Sequence, residues 1–236
     1  MLQALVQLYR GSWRYALACP FLFAIPVVTE AAQHVAEYAQ GFYIDIAHAK
    51  GAEHSVLRMG FGTAKVLALL MARYWVVRWF EWGDPARTGQ ITRRSLATFI
   101  PLLAWGTVLS LVAIWAPVIA PQLAKPLLIA NLFYFLLHIL LSNWYRSAPL
   151  GEQDGPIRSI QMIMPVLPWS LMFTIAAYLP PMIVHYALFF AALKAHGLLQ
   201  DIALIADTLL VGCLGAIICG TSWFISERAR ARLATK

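Results

Sequence analysis

Long apolar runs constrain the fold of this chain more than any other feature. Residues 160–193 contain no Asp, Glu, Lys or Arg, and residues 202–225 contain one, Asp207. Over the whole chain 61% of residues are apolar and 12% are charged, whereas about one quarter of a water-soluble domain is charged. Because about 20 apolar residues suffice for one helical crossing of a bilayer, the sequence predicts an all-α polytopic transmembrane helical bundle.

The apolar runs predict six spans within a single integral membrane domain, residues 1–236. Their approximate limits are 13–29, 59–80, 96–119, 127–145, 160–179 and 202–225.

Two further segments are predicted to lie at the outer membrane surface as amphipathic or interfacial helices, Glu30–Ala49 and Met182–Ala195. The first has apolar residues at steps of three and four. The second follows Pro180-Pro181, where we expect the chain to bend. The predicted buried face of the first segment includes Val35, Tyr38 and Phe42.

The distribution of Lys and Arg predicts the orientation. With six spans, twelve of the 18 cations fall on the side of both termini and four on the other side, while Lys65 and Arg73 fall inside the second span. Short cytoplasmic loops carry the excess of Lys and Arg, so we expect both termini to be cytoplasmic in a bacterial-type inner (plasma) membrane. The net charge of +7 is then an orientation signal with some attraction to anionic lipid, and it requires no nucleic-acid partner.

Two hairpins of the predicted bundle follow the same plan, one in residues 13–80 and one in residues 160–225. Each begins with a proline-containing span, runs into an outer helix, reaches Gly51 or Gly197, and returns through a second span. Four spans separate the two starts, so these halves would form a parallel repeat about an axis along the membrane normal, joined by the hairpin 96–145. Two similar hairpins arising by coincidence fit the pattern equally well.

The second and sixth spans carry small residues at every fourth position. The stripes are Gly60, Ala64, Ala68 and Ala72, and Thr208, Gly212, Ala216 and Gly220. Such stripes let helices approach closely in lipid, so the two spans are predicted to face each other or to form a dimer seam. Lys65 and Asp207 each lie one position from a stripe, and a lone charge in hydrocarbon is costly. We therefore predict that Lys65 and Asp207 form an ion pair. The preferred interpretation of this pair is a structural bridge, and the alternative is a substrate or proton site.

The fourth span carries a polar face, which in a membrane normally points into the bundle. Its residues are Asn131, Tyr134, His138, Ser142 and Tyr145. The run His138–Ser142 followed by Trp144 resembles, over fewer than ten residues, the pigment-binding end of bacterial light-harvesting helices, which implies haem or pigment as a ligand of His138. A structural role for His138 is the preferred interpretation, and no cofactor is predicted. Arg73 is predicted to be an anchor at the headgroup level.

Acids and histidines of the outer segments come in pairs, His34 with Glu37 and Asp45 with His48. A spacing of three on a helix suits two metal ligands. A solvated polar face explains these pairs with fewer assumptions, so no metal site is predicted.

Three functions from different classes remain. The sequence favours a non-catalytic assembly or interaction subunit, which acts through helix packing and the outer helices on lipids, a second copy or another membrane protein. The first alternative is a carrier or channel for a lipid or small solute that uses the polar face of the fourth span with Lys65 and Asp207. The second is a haem- or pigment-binding redox protein, or an intramembrane enzyme, that uses His138. Clustered acids and histidines are scarce, which counts against an enzyme, and no catalytic residue is predicted.

Overall fold

The computed structural model describes residues 1–120, 122 and 124–235, without the side chains of residues 117, 124, 125, 127, 128 and 131. The chain is 88% helix, and the described residues include no strand, which confirms the predicted all-α class. The helices are α1 Leu2–Ala18, α2 Pro20–Ala39, α3 Ile46–Ala52, α4 Val56–Trp82, α5 Pro85–Gly89, α6 Arg93–Ile119, α7 Ala124–Leu140, α8 Ser142–Leu150, α9 Pro156–Ile163, α10 Leu167–Lys194 and α11 Leu198–Ala234, with a 3-10 turn at Met164–Val166.

Four segments in the described part of the chain are long and apolar enough to cross a membrane. They are α4, Arg93–Ala116 of α6, Pro156–Lys194 across α9 and α10, and α11. The pair α1–α2, bent by 96°, makes a fifth if it is one broken span. Six spans were predicted, and the difference lies in the predicted fourth span, because the helix is interrupted at Leu141. The 17 residues of α7 reach about 25 Å, less than the ~30 Å of a bilayer core.

Helix α11 lies at the centre of the bundle and packs against α1, α2, α4, α8 and α10. The predicted facing of the two small-residue stripes is wrong. In the α11 stripe, a Cβ at Gly212 would lie 2.6 Å from Val27 Cγ2 of α2, and a Cβ at Gly220 would lie 2.6 Å from Leu8 of α1 and from Phe80 of α4. On α4, Ala68 and Ala72 are buried but Gly60 and Ala64 are exposed, and a Cβ at Gly60 would meet nothing within 4 Å. Close approach to α11 therefore comes from α2, from α1 and from the C-terminal part of α4, not from the α4 stripe.

The burial of α2 is the inverse of the prediction for this segment. Within α2, Val35 and Tyr38 are 69% and 58% exposed, whereas the polar residues Glu30, His34 and Glu37 are buried. Phe42, the third residue of the predicted buried face, lies beyond the end of α2 and is buried as predicted. The helix also ends at Ala39, ahead of Gly41 with φ +71°, and chain direction changes before α3. Glu30–Ala49 is therefore not one amphipathic helix, and its polar side is the side packed inside the bundle.

The predicted division of the chain at Pro180-Pro181 is also wrong, because α10 continues through both prolines to Lys194. Pro181 has no N–H, so the carbonyl of Ala177 loses its helical hydrogen bond. The hydroxyl of Tyr9, on α1, donates to that carbonyl at 2.8 Å. This tertiary hydrogen bond satisfies the freed carbonyl group. The segment Met182–Ala195 is therefore mostly the C-terminal half of α10 and not a separate interfacial helix.

Candidate functional site

Two polar networks lie at opposite ends of the bundle. We call them the His34 network and the Arg146 network. The His34 network contains Glu30, Gln33, His34, Glu37, Tyr43, Arg58, Lys65, His185 and Asp207. The Arg146 network contains Glu81, Asn143, Arg146, Glu152, Asp154, Trp223, Ser226, Glu227 and Arg230. Along α4, Lys65 and Glu81 are 16 residues apart, which corresponds to about 24 Å.

Helix α2 supplies the centre of the His34 network. Glu30, Gln33, His34 and Glu37 follow steps of three and four, so they share one helical face. All four are buried, Glu30 to 1% and His34 to 8% exposure. The other members come from the turn after α2, from α4, from α10 and from α11. Five parts of the chain thus bring their polar groups to one place.

The Nε2 atom of His34 lies between two acids, Glu30 and Asp207. Its Nε2 lies 3.6 Å from Glu30 Oε1 and 3.4 Å from Asp207 Oδ2. On the far side of each acid, Lys65 Nζ lies 2.9 Å from Glu30 Oε2, and His185 Nδ1 lies 2.6 Å from Asp207 Oδ1. The predicted direct Lys65–Asp207 pair is thus replaced among the described side chains: both residues belong to this network, but Glu30 and His34 stand between them.

The other ring nitrogen of His34 is held by Tyr43 and Glu37. Nδ1 lies 2.8 Å from the Tyr43 hydroxyl and 3.2 Å from Glu37 Oε2. Burial, and then the neighbouring Glu37 carboxylate, raise the pKa of Tyr43 well above its usual value. Tyr43 therefore stays protonated, and its hydroxyl donates a hydrogen bond to Glu37 Oε2 at 2.5 Å. Both neighbours of Nδ1 act as acceptors, so Nδ1 carries a hydrogen, and in the neutral ring the Nε2 lone pair faces Glu30 and Asp207.

Glu37 is the most fully hydrogen-bonded acid of the network. Besides Tyr43, its Oε1 accepts from Gln33 Nε2 at 2.9 Å and from Arg58 Nε at 2.7 Å. The Arg58 guanidinium also lies 5.0 Å from the ring of Phe42. These contacts fix Glu37 and, through it, the plane of the His34 ring.

The charge of the His34 network balances only when its centre holds one further positive charge. Among its described residues, Glu30, Glu37 and Asp207 face two permanent cations, Lys65 and Arg58. With both histidines neutral one negative charge remains uncompensated, and a buried uncompensated charge is costly. His34 Nε2 lies within ion-pair distance of Glu30 and Asp207, and it has no hydrogen-bond partner in the part of the chain that the structure describes. The arrangement therefore suits one positive charge between Glu30, His34 and Asp207, either a proton on Nε2 or a small cation in its place.

The rim of the network is partly open. The side chains of Lys65, His185 and Arg58 are 22%, 25% and 28% exposed, whereas those of Glu30, Glu37 and Asp207 are between 2% and 4%. The acids are thus enclosed behind partly exposed flexible or ionisable groups.

The polar face predicted for the fourth span forms a separate group. Ser142 and Tyr145 are buried, and the His138 ring lies 4.7 Å from that of Tyr145. Arg73 is also buried here, its guanidinium 4.0 Å from the Tyr145 ring centroid. It is therefore packed inside the bundle instead of reaching a membrane surface as predicted. Tyr134 lies 6.4 Å from His138, and the side chain of Asn131 lies outside the described residues.

The sequence interpretation missed most of the His34 network. Glu30, His34 and Glu37 were assigned to a solvated outer face, and His185 to the interface. Two signals were present: the spacing of polar residues along α2, and intramembrane charges at Lys65 and Asp207 that each required a partner. Their partners could not be chosen without the packing of α2 against α4 and α11.

The Arg146 network joins α4, α8 and α11. Arg146 Nη2 donates to both oxygens of Glu81 at 2.9 Å, Nη1 contacts Glu152 at 3.0 Å, and Nε lies 3.0 Å from Glu227. Arg230 contacts Glu152 and lies 3.0 Å from Asp154. Arg146 is 5% exposed, so one buried guanidinium clamps three partly exposed acids at the other end of the bundle.

The two networks differ in the cations that face their acids. In the Arg146 network each carboxylate has an Arg partner, whereas in the His34 network Glu30 and Asp207 face a lysine and two histidines, and His34 Nε2 lies between them. Comparison with protein-family models, with characterised proteins and with solved structures gives no match. We therefore infer function from the geometry of the His34 network.

Proposed function

We propose that the chain is a carrier-type integral membrane protein that binds a small cation in the His34 network. The observation that carries the proposal is the buried group of Glu30, His34 and Asp207, whose facing atoms lie within 4.8 Å of one another. This group needs one positive charge at its centre and has a partly exposed rim, which favours an ion-binding site over a passive bridge.

The helices around the site support a role that requires movement. Pro26 lies one turn before Glu30 on α2, and Pro181 lies one turn before His185 on α10. A proline removes a helical hydrogen bond and weakens the helix at that turn. Helices that are interrupted beside an ion site are typical of secondary transporters. Helix α2 is in addition separated from α1 by the 96° bend.

The proposed topology has six crossings in a bacterial-type inner membrane, with both termini cytoplasmic. The bent pair α1–α2 and the short α7 would supply the crossings beyond the four long helices. The excess of Lys and Arg on the side of the termini supports this orientation. The hairpins α2–α4 and α10–α11 each bring a proline-containing helix to the His34 network, which supports the parallel repeat.

The assembly function, which the sequence favoured, now stands second. It relied on outer amphipathic helices, but the polar face of α2 is buried against the bundle. The redox function relied on His138, which packs against Tyr145 in a group separate from the His34 network. The lipid- or solute-carrier hypothesis is the one to which the buried charges of Asp207 and Lys65 contribute directly.

The test is a measurement of cation-evoked currents from the full chain reconstituted on solid-supported membranes. The cations are Na⁺, K⁺, ammonium, Mn²⁺ and Zn²⁺, each applied as a concentration jump. At least one should evoke a transient current in the wild-type protein, and Asp207→Asn should reduce it tenfold or more, because the site loses one of its two facing carboxylates. Asp201→Asn, an exposed acid on the same helix, is the matched control and should leave the current unchanged.

Two results would contradict the carrier function. One is the lack of any current from folded, monodisperse wild-type protein with all five cations. The other is an equal loss of current in Asp201→Asn and Asp207→Asn.

A further inference from the structure

We infer that the ion of this site is a divalent transition-metal cation, bound by Glu30 Oε1, His34 Nε2 and Asp207 Oδ2. The inference rests on the proposed function, since it names the ion class of the same site. Zinc and similar ions bind His nitrogen and carboxylate oxygen at about 2.0–2.2 Å, so two ligand atoms of a tetrahedral site lie about 3.4 Å apart. The observed separations from His34 Nε2 are 3.6 Å to Glu30 and 3.4 Å to Asp207. Both nitrogen–oxygen separations thus already match a tetrahedral site, and the two carboxylate oxygens lie within 4.8 Å of each other.

The unpartnered His34 nitrogen is an independent observation. His34 is 8% exposed, and its Nε2 lacks a hydrogen-bond partner among the described residues while it points between two carboxylate oxygens. A lone pair facing two acids is unfavourable, and Nε2 is stabilised there either by its own proton or by a bound cation. A metal ion takes the place of that proton and binds the lone pair and one oxygen of each acid at once.

The groups behind the ligands match those of protein metal sites. A metal-binding histidine usually donates its other ring N–H to a carboxylate or similar acceptor, which fixes tautomer and ring orientation. His34 Nδ1 does so towards Tyr43 and Glu37. Lys65 contacts the second carboxylate oxygen of Glu30, and His185 contacts the second carboxylate oxygen of Asp207. Each acid therefore presents one oxygen to the site.

The donor set selects the class of ion. Mg²⁺ and Ca²⁺ prefer six or more oxygen ligands, whereas one imidazole with two carboxylates suits Zn²⁺, Mn²⁺, Fe²⁺ or Co²⁺. Three protein ligands leave a fourth position for water or an exchanging ligand. An open position is what allows an ion to enter and leave.

The test is metal binding by the purified full chain in detergent, after removal of bound metal with a chelator. Zn²⁺ is measured by equilibrium dialysis with elemental analysis, and Co²⁺ by its visible absorption. We expect about one ion per chain. His34→Gln and Asp207→Asn should weaken binding at least tenfold, and Tyr43→Phe about tenfold, because it removes an orienting partner of His34.

His48→Ala is the matched control. His48 and Asp45 form an exposed pair at 2.9 Å near the same end of the molecule, and removing it should leave Zn²⁺ affinity unchanged. Thermal unfolding of each metal-free variant separates loss of ligand from loss of fold. A stoichiometry far below one in folded wild-type protein, or binding that depends on His48 and not on His34, would overturn the metal site.

Metal binding and transport can fail separately. If Zn²⁺ binds once per chain and depends on His34 but evokes no current, the metal site stands and the carrier function is wrong. If Na⁺, K⁺ or ammonium evokes currents that depend on Asp207 and no transition metal binds, the carrier function stands and the metal site is wrong.

Discussion

The two ring nitrogens of His34 have unlike surroundings. Nδ1 is held by Tyr43 and Glu37, while Nε2 faces Glu30 and Asp207 without a donor between them. This asymmetry fixes the tautomer and directs one lone pair at a pocket of negative charge. The apolar runs around Asp207 and Lys65 mark these two charges in the sequence. Their partners cannot be predicted in the same way, because they depend on which helices pack together.

Lys65 and Glu30 should be energetically coupled. Removing one member of a buried pair leaves an uncompensated charge, which costs about 3–5 kcal/mol when burial is complete. Because Lys65 is 22% exposed, we expect Lys65→Met and Glu30→Gln each to lower the free energy of unfolding by about 2–3 kcal/mol. The double variant should recover at least about 1 kcal/mol of the summed loss. Thermal unfolding in detergent measures all three.

The control for that cycle is Lys50→Met, an exposed lysine on α3, which should change stability by less than about 0.5 kcal/mol. Strictly additive losses for Lys65 and Glu30 would show that the two side chains do not interact.

At the scale of elements, the sequence predicted the second, third and sixth spans well and the helices α2 and α10 poorly. Residues 59–80, 96–119 and 202–225 fall within α4, α6 and α11, because continuous apolarity identifies a crossing directly. The periodicity of α2 was recognised, but a bundle in lipid can expose its apolar face and bury its polar one. The prolines of α10 were interpreted as a break, since the sequence does not show that Tyr9 would satisfy Ala177.

The Arg146 network should stabilise the contact of α4, α8 and α11. Arg146→Met leaves three acids without their shared cation. Since Glu81, Glu152 and Glu227 are 24%, 35% and 40% exposed, solvent reduces the penalty, and we expect a loss of about 2–4 kcal/mol. Arg146→Lys should lose less, because it keeps the charge but not the several hydrogen bonds of a guanidinium.

The matched control is Arg158→Met, an exposed arginine on α9, whose melting temperature should stay near that of the wild type. Equal destabilisation by the Arg146 and Arg158 variants would mean that the clamp contributes nothing specific.

At the scale of the whole molecule, the His34 and Arg146 networks mark the two ends of the bundle, about 24 Å apart along α4. Much of the surface between them is apolar; Leu132, Phe133 and Ile205 are each more than 60% exposed. In water such a surface would drive association, whereas in a bilayer it faces lipid. In the proposed topology the His34 network lies at the end of the bundle opposite both termini.

That placement is tested most directly by labelling single cysteines in spheroplasts of a bacterial host, with Cys19, Cys213 and Cys219 replaced by Ala. Ala52→Cys and His196→Cys, near the His34 network, should react with a membrane-impermeant maleimide in intact spheroplasts. Gln90→Cys, Gln153→Cys and Ala234→Cys should react only after permeabilisation. Labelling of Ala52→Cys and Ala234→Cys from the same side would contradict the six-crossing topology and the position of the site.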